Sequence, residues 1–234
     1  MNWARADWSL SDLSGHPLFT SASARHPTRV WALLEACRLF EARLLGVYVP
    51  QLAAELSACH LRELADLVRG CDLDLALCGP MAAAVAAWRT PLAQTVSACA
   101  AYQLVVGSSA TLRGGRLHAR LGAYHAAALT SATMITWAAE VLTEHGLGGE
   151  GAAWVRTRGL IARGRADALE RLPTLLADDP VLRACFLRGA RRMTRAVESF
   201  LDAMLDAERA RALGRPTLAL EAAPVHLVAG EVDV

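Results

Sequence analysis

The sequence predicts an all-α protein. One helical bundle of about seven helices occupies residues 1–214, and an irregular C-terminal tail covers 215–234. Three observations carry that prediction. Of 234 residues, 47 are Ala and 37 are Leu, both strong helix formers, while β-branched and aromatic residues are sparse. Apolar residues recur at helical spacing. The connections are short and marked by Pro and Gly. A chain of 234 residues can bury a core, and 54% apolar against 20% charged residues excludes disorder as its main state.

The elements follow in order. Residues 1–26 read as an irregular lead containing His16-Pro17 and His26-Pro27. Pro27 suits a first helical turn. That helix runs to about Val47, with Val30, Leu33, Leu34, Cys37, Phe40, Leu44 and Leu45 on its apolar face. Pro50 opens a second helix, closed by Gly70, with Leu52, Leu56, Cys59, Leu64 and Leu67 inward. The segment Met81–Trp88 is nearly all apolar, and Pro91 kinks or restarts the helix. Further helices are expected over 92–112, 117–146 and 152–171. Asp179-Pro180 is an N-cap and first-turn pair opening a last long helix to about Leu213.

The charge balance narrows the partners. Lys is absent, and 24 Arg face 23 acids for a net charge of +1. A non-specific nucleic-acid binder shows a basic excess. The expected partner is a small-molecule substrate, with no nucleic acid and no membrane, and a homodimer is the assembly allowed for. The longest uncharged run, Thr90–Leu112, has the length of a membrane span but carries Pro91, Gln94, Gln103 and several hydroxyls. Those residues fit a buried core helix. The start MNWARADWSL lacks a signal-peptide core. The six cysteines form no CxxC pair, so a cytoplasmic protein with reduced, buried thiols is expected.

Phosphate-loop, GxSxG and HExxH motifs are absent. Three groups of residues remain. His118 and His125 are seven apart, on one helix face two turns from each other. Such pairs bind metals in bundles when carboxylates face them; the candidates are Glu35, Glu41, Glu55, Glu63, Glu140 and Glu144, with His60 and His145 as further imidazoles. Without them the pair reads as surface or capping histidines. Cys99 and Gln103 lie one turn apart on an apolar helix beside Tyr102. Cys99 reads as a small core residue or as a nucleophile, the latter requiring a base or a positive field. Glu198 borders the apolar stripe of the last helix, where a carboxylate can act as acid or base, or else pair with Arg191 or Arg195.

Three stretches resemble the haem-oxygenase-like superfamily, which includes thiaminase II (TenA), haem oxygenases and haem-oxygenase-like dimetal oxidases. They are His26-Pro27 with FEARLLGVYVPQLAAEL, SACAAYQLVVGSSATLRGG, and TRAVESFLDAM. Cys99, eight residues before Gly107, is similar to the thiaminase II cysteine, and Glu198 to the closing-helix glutamate. The chain departs from each relative. Val47 stands where thiaminase II has an Asp before its Tyr, here Tyr48. Gln103 stands where a Tyr follows its Cys, with Tyr102 displaced by one. Gly122 replaces the acid of the dimetal HxxxDxxH helix. Haem oxygenases place a proximal His in the first helix, where His16 and His26 both precede Pro.

The resemblance implies a haem-oxygenase-like bundle around a pocket between the 92–112 helix, the first helices and the last helix. The leading expectation is a small-molecule-transforming enzyme, a tailoring step in specialised metabolism. Cys99 and Glu198 are its nucleophile or acid and base, with Tyr102. Tyr48 and Gln103 orient the substrate, Trp31 and Trp88 wall the pocket, and no cofactor is favoured. One alternative is a dimetal oxidase with two iron ions on His118, His125 and the carboxylates. Another is a non-catalytic helical ligand-binding or regulatory protein.

Overall fold

The computed structural model describes residues 13–20, 25, 30, 33–34, 36–37, 40, 47–69, 111–145, 155–157, 159–160, 163–164, 167 and 179–213. Among them there is helix and no strand, so the protein is all-α. A short 3-10 turn, Leu13–Gly15, leads into α1, Pro17–Thr20. Helices α2, Val49–Ala58, and α3, Arg62–Arg69, form a packed pair. The two long described helices are α4, Leu117–Glu144, and α5, Pro180–Ala212, and among the described elements they form the most extensive contact.

α4 lies at the centre. From Leu121 to Leu142 its residues are buried on nearly every side. Threonine hydroxyls on it bond back along the helix, while the buried Ser131 hydroxyl has no partner among the described residues. Thr130 donates to the carbonyls of Ala126 (2.9 Å) and Ala127 (3.1 Å), and Thr133 to that of Leu129 (3.1 Å). Buried hydroxyls with such partners fit a core helix, and no described helix is long and apolar enough to cross a membrane. Val30, Leu33, Leu34, Ala36, Cys37 and Phe40 are helical and almost fully buried, and the Cys37 thiol meets the Met134 sulfur of α4 at 3.9 Å.

α4 and α5 touch backbone to backbone. A Cβ on Gly122 would stand 1.9 Å from the Phe186 carbonyl oxygen, and one on Gly189 would stand 1.7 Å from that of Ala119. Only glycine, which has no Cβ, permits so close an approach of the two backbones. From that crossing, at about 1.5 Å per residue, Trp137 lies about 27 Å along α4 and Asp202 about 20 Å along α5. Both reach the same short segment. The Trp137 indole donates to the Phe19 carbonyl (3.2 Å), its ring meets Phe19 edge-on (5.2 Å), and His16 bonds Asp202 (3.2 Å). The two helices therefore run in the same direction. Parallel neighbours need a returning connection, and residues 155–157 and 159–160 within it are helical, with Gly159 against Thr136 and Ile135 of α4.

α5 begins as expected. The Asp179 carboxylate accepts from the backbone N–H of Val181 (2.8 Å) and Leu182 (3.1 Å), capping the helix before Pro180 can matter to the hydrogen-bond ladder. The expected helix from Pro50 to Gly70 does not form as one piece. It breaks at His60, whose φ of 62° is left-handed. The His60 N–H donates to the Ser57 carbonyl (3.1 Å) and the Leu61 N–H to the Leu56 carbonyl (2.9 Å), the two bonds of a Schellman terminator. Cys59 consequently sits in the turn and is exposed, contrary to the buried position expected for it. Gly115, at φ +95°, makes the left-handed turn that separates Arg113 from the start of α4.

Candidate functional site

Cys99, Tyr102, Gln103, Trp31 and Trp88 lie outside the described residues, as do the 92–110 segment and the tail. The remaining candidates fall on α2 to α5.

His125 is the most unusual of them. It lies on α4, 5% exposed, with its ring 5.6 Å from that of Phe186 on α5. Neither ring nitrogen has a hydrogen-bond partner among the described residues. Burial pushes its pKa down from 6.5 to about 4, so the imidazole is neutral near pH 7. A buried polar group without partners costs free energy. At about 4 its conjugate acid is far stronger than a thiol of ordinary pKa near ~8.5, so the ring is a poor acceptor for a thiol proton. What it offers is one hydrogen-bond donor and one acceptor inside an apolar wall.

His118, two turns away on the same face, is half-buried, and burial lowers its pKa while Asp179 acts in the opposite sense. Its Cα is about 10 Å along the helix from that of His125. Gly122 lies between them, where a metal-binding helix of the dimetal class has its acid. The α5 backbone fills the space a side chain there would need. Glu140 and Glu144 are exposed near the far end of α4, about 22 Å and 28 Å beyond His125. Glu144 is held by Arg25, whose Nε lies 2.8 Å from Oε2. His60 and Glu63 are exposed at the α2–α3 turn. Among the described residues no three His, Cys, Asp or Glu side chains come together as metal ligands.

Tyr48 is buried just before α2, and the Arg113 guanidinium lies over its ring at 5.9 Å. Arg120 of α4 bonds both carboxylate oxygens of Glu55 on α2, Nη1 to Oε1 at 2.9 Å. Glu198 is half-buried on α5 and makes no ion pair with Arg191 or Arg195 among the described residues, which leaves its carboxylate available. His16 is engaged on both sides: its Nδ1 accepts the Leu18 N–H (3.1 Å) and its Nε2 bonds Asp202. It starts α1 and ties it to α5.

No protein-family model, no curated protein and no solved structure matches this chain. The functional reading rests on its own residues. Two features escaped the sequence reading. Trp137, 8% exposed, is the described tryptophan that walls the interior. The other is a face of α5 lined by arginines, legible as Arg at 188, 191, 192 and 195 but hidden by a charge total near zero.

Proposed function

We propose that this protein is a small-molecule-transforming enzyme on a haem-oxygenase-like bundle, a tailoring step in specialised metabolism. Cys99 and Glu198 act as nucleophile or as acid and base, with Tyr102. Gln103 and Tyr48 orient the substrate, and Trp31 and Trp88 wall the pocket. His125 adds a neutral donor and acceptor that a bound molecule can satisfy.

The observation that supports this reading is the pair of unpartnered ring nitrogens on His125. A side chain that only filled the core would be apolar there, because an apolar residue of similar volume avoids the desolvation cost. A ligand presenting a hydroxyl, carbonyl or amide to that imidazole recovers it. The two-iron reading has no comparable support, since its donors among the described residues are dispersed along α4 and the α2–α3 turn.

Metabolite profiling tests the proposal. Cell extract is incubated with the purified chain and with Cys99→Ala and Glu198→Gln variants, and read by mass spectrometry. The expected result is a protein-dependent mass change lost in both variants while their helical circular dichroism is retained. A change that survives in both variants, or no change with the unmodified chain, overturns it.

A further inference from the structure

α5 has two unlike faces. Phe186, Ala190, Met193, Val197 and Leu201 enter the core. On the opposite side stand Arg188, Arg191, Arg192 and Arg195, spaced i, i+3, i+4 and i+7 and therefore on one face. All four are exposed, and none has an acidic partner among the described residues. Like charges at these spacings repel mildly, so the arrangement works against the helix that carries it. An open cavity of about 350 Å³ runs along this face, and the described residues lining it are Ala184, Leu187 and the four arginines.

We propose that this face binds a small polyanion, a molecule carrying two or more linked phosphate groups on an apolar or aromatic body. Guanidinium forks match phosphate oxygens two at a time, in a geometry that an ammonium does not reproduce. Neighbouring arginines here stand about 5–6 Å apart at Cβ, so two pairs can grip adjacent phosphates. Leu187 and Ala184, at one end of the four, supply an apolar wall for the remainder of the ligand. The cavity has the size of small-molecule sites, which begin near ~300 Å³.

The same face argues against a nucleic acid. The cationic strip is only about 10 Å long from Arg188 to Arg195, against about 34 Å for one duplex turn. Beyond it the face continues with Ser199 and then with Asp202 and Asp206, whose carboxylates repel an extended polyanion. The inference is independent of the enzyme reading, because it uses none of the residues given a role there.

Isothermal titration of the full chain in about 0.15 M salt tests it, with ATP, tripolyphosphate, inorganic phosphate and a single-stranded oligonucleotide as probes. The expected result is that ATP and tripolyphosphate bind and phosphate binds far more weakly. The double variant Arg191→Gln/Arg192→Gln loses at least about tenfold in affinity. Arg191→Lys recovers only part of that loss, and Arg209→Gln, outside the cavity, changes nothing. No heat from ATP or tripolyphosphate at about 1 mM overturns the proposal. So does an equal loss in Arg209→Gln, which marks non-specific attraction. Binding of the oligonucleotide without binding of tripolyphosphate overturns it in favour of a nucleic-acid surface.

Discussion

Replacing His125 with Leu separates a neutral, unpartnered imidazole from an ordinary core residue. Leu has a similar volume and no polar atoms, so near neutral pH the variant avoids the cost of two unsatisfied nitrogens. It should be more stable than wild type by about 1–3 kcal/mol at pH 7. Acid adds a second, independent signature. The folded-state pKa is about 4, below the ordinary 6.5 expected when unfolded. As pH falls below 6.5 the unfolded chain takes up a proton at this residue and the folded chain does not, so wild-type stability drops until about pH 4. The shift corresponds to roughly 3 kcal/mol in total, of which about 2 kcal/mol falls between pH 7 and pH 5. Every other titrating group is common to both proteins and cancels in the difference. Urea unfolding followed by circular dichroism at pH 7 and pH 5 measures it. The stability gap between variant and wild type should widen by about 2 kcal/mol on acidification. Parallel pH profiles would refute the reasoning, because they would mean that His125 titrates in the folded chain as it does in the unfolded one.

Other outcomes follow from the packing and the caps. Gly122→Ala and Gly189→Ala each force a methyl into the backbone of the facing helix, and each should lower stability by about 3 kcal/mol or more in urea unfolding. His60→Gly relieves a left-handed residue at the end of α2 and should raise stability by about 1 kcal/mol, with the helical signal unchanged. Asp179→Ala removes the cap of α5 and should cost about 1 kcal/mol in the same assay. Of the described thiols, Cys59 is exposed and Cys37 buried. A thiol reagent applied to the native chain, with peptide mapping, should modify Cys59 first and Cys37 only on unfolding.

The parts of the fold that were readable are those with local signals. α5 was placed within a residue or two because Asp179-Pro180 marks its start and Gly214 follows its end. α4 was placed as well by the Gly-Gly turn before it and the glycine run after it. The break between α2 and α3 was not, because the left-handed position is filled by His60 instead of the glycine that normally announces it. The parallel pairing of α4 and α5 depends on contacts among residues far apart in the chain, as does the loneliness of His125. The spacing of His118 and His125 was visible, but the reason for Gly122 between them was not: it answers to the backbone of a helix that begins at Pro180. At Glu198 the sequence left open a pairing with Arg191 or Arg195, and only the folded helix shows that neither forms.

The parallel pairing has a consequence for how the chain is made. α4 is apolar almost all round, yet the helix that covers one of its sides is completed only near Leu213. At a ribosomal rate of roughly 5–20 residues per second, the nearly 70 residues between them leave that surface uncovered for about 4–14 s in every round of synthesis. For that interval the nascent chain presents a sticky rod to its surroundings. Yield should therefore respond to chaperone supply and to translation speed downstream of residue 145 more than to anything upstream. A version of the gene with slow codons over 146–213 would lengthen the exposure and send more of the product into aggregates, even though the finished protein is the same molecule.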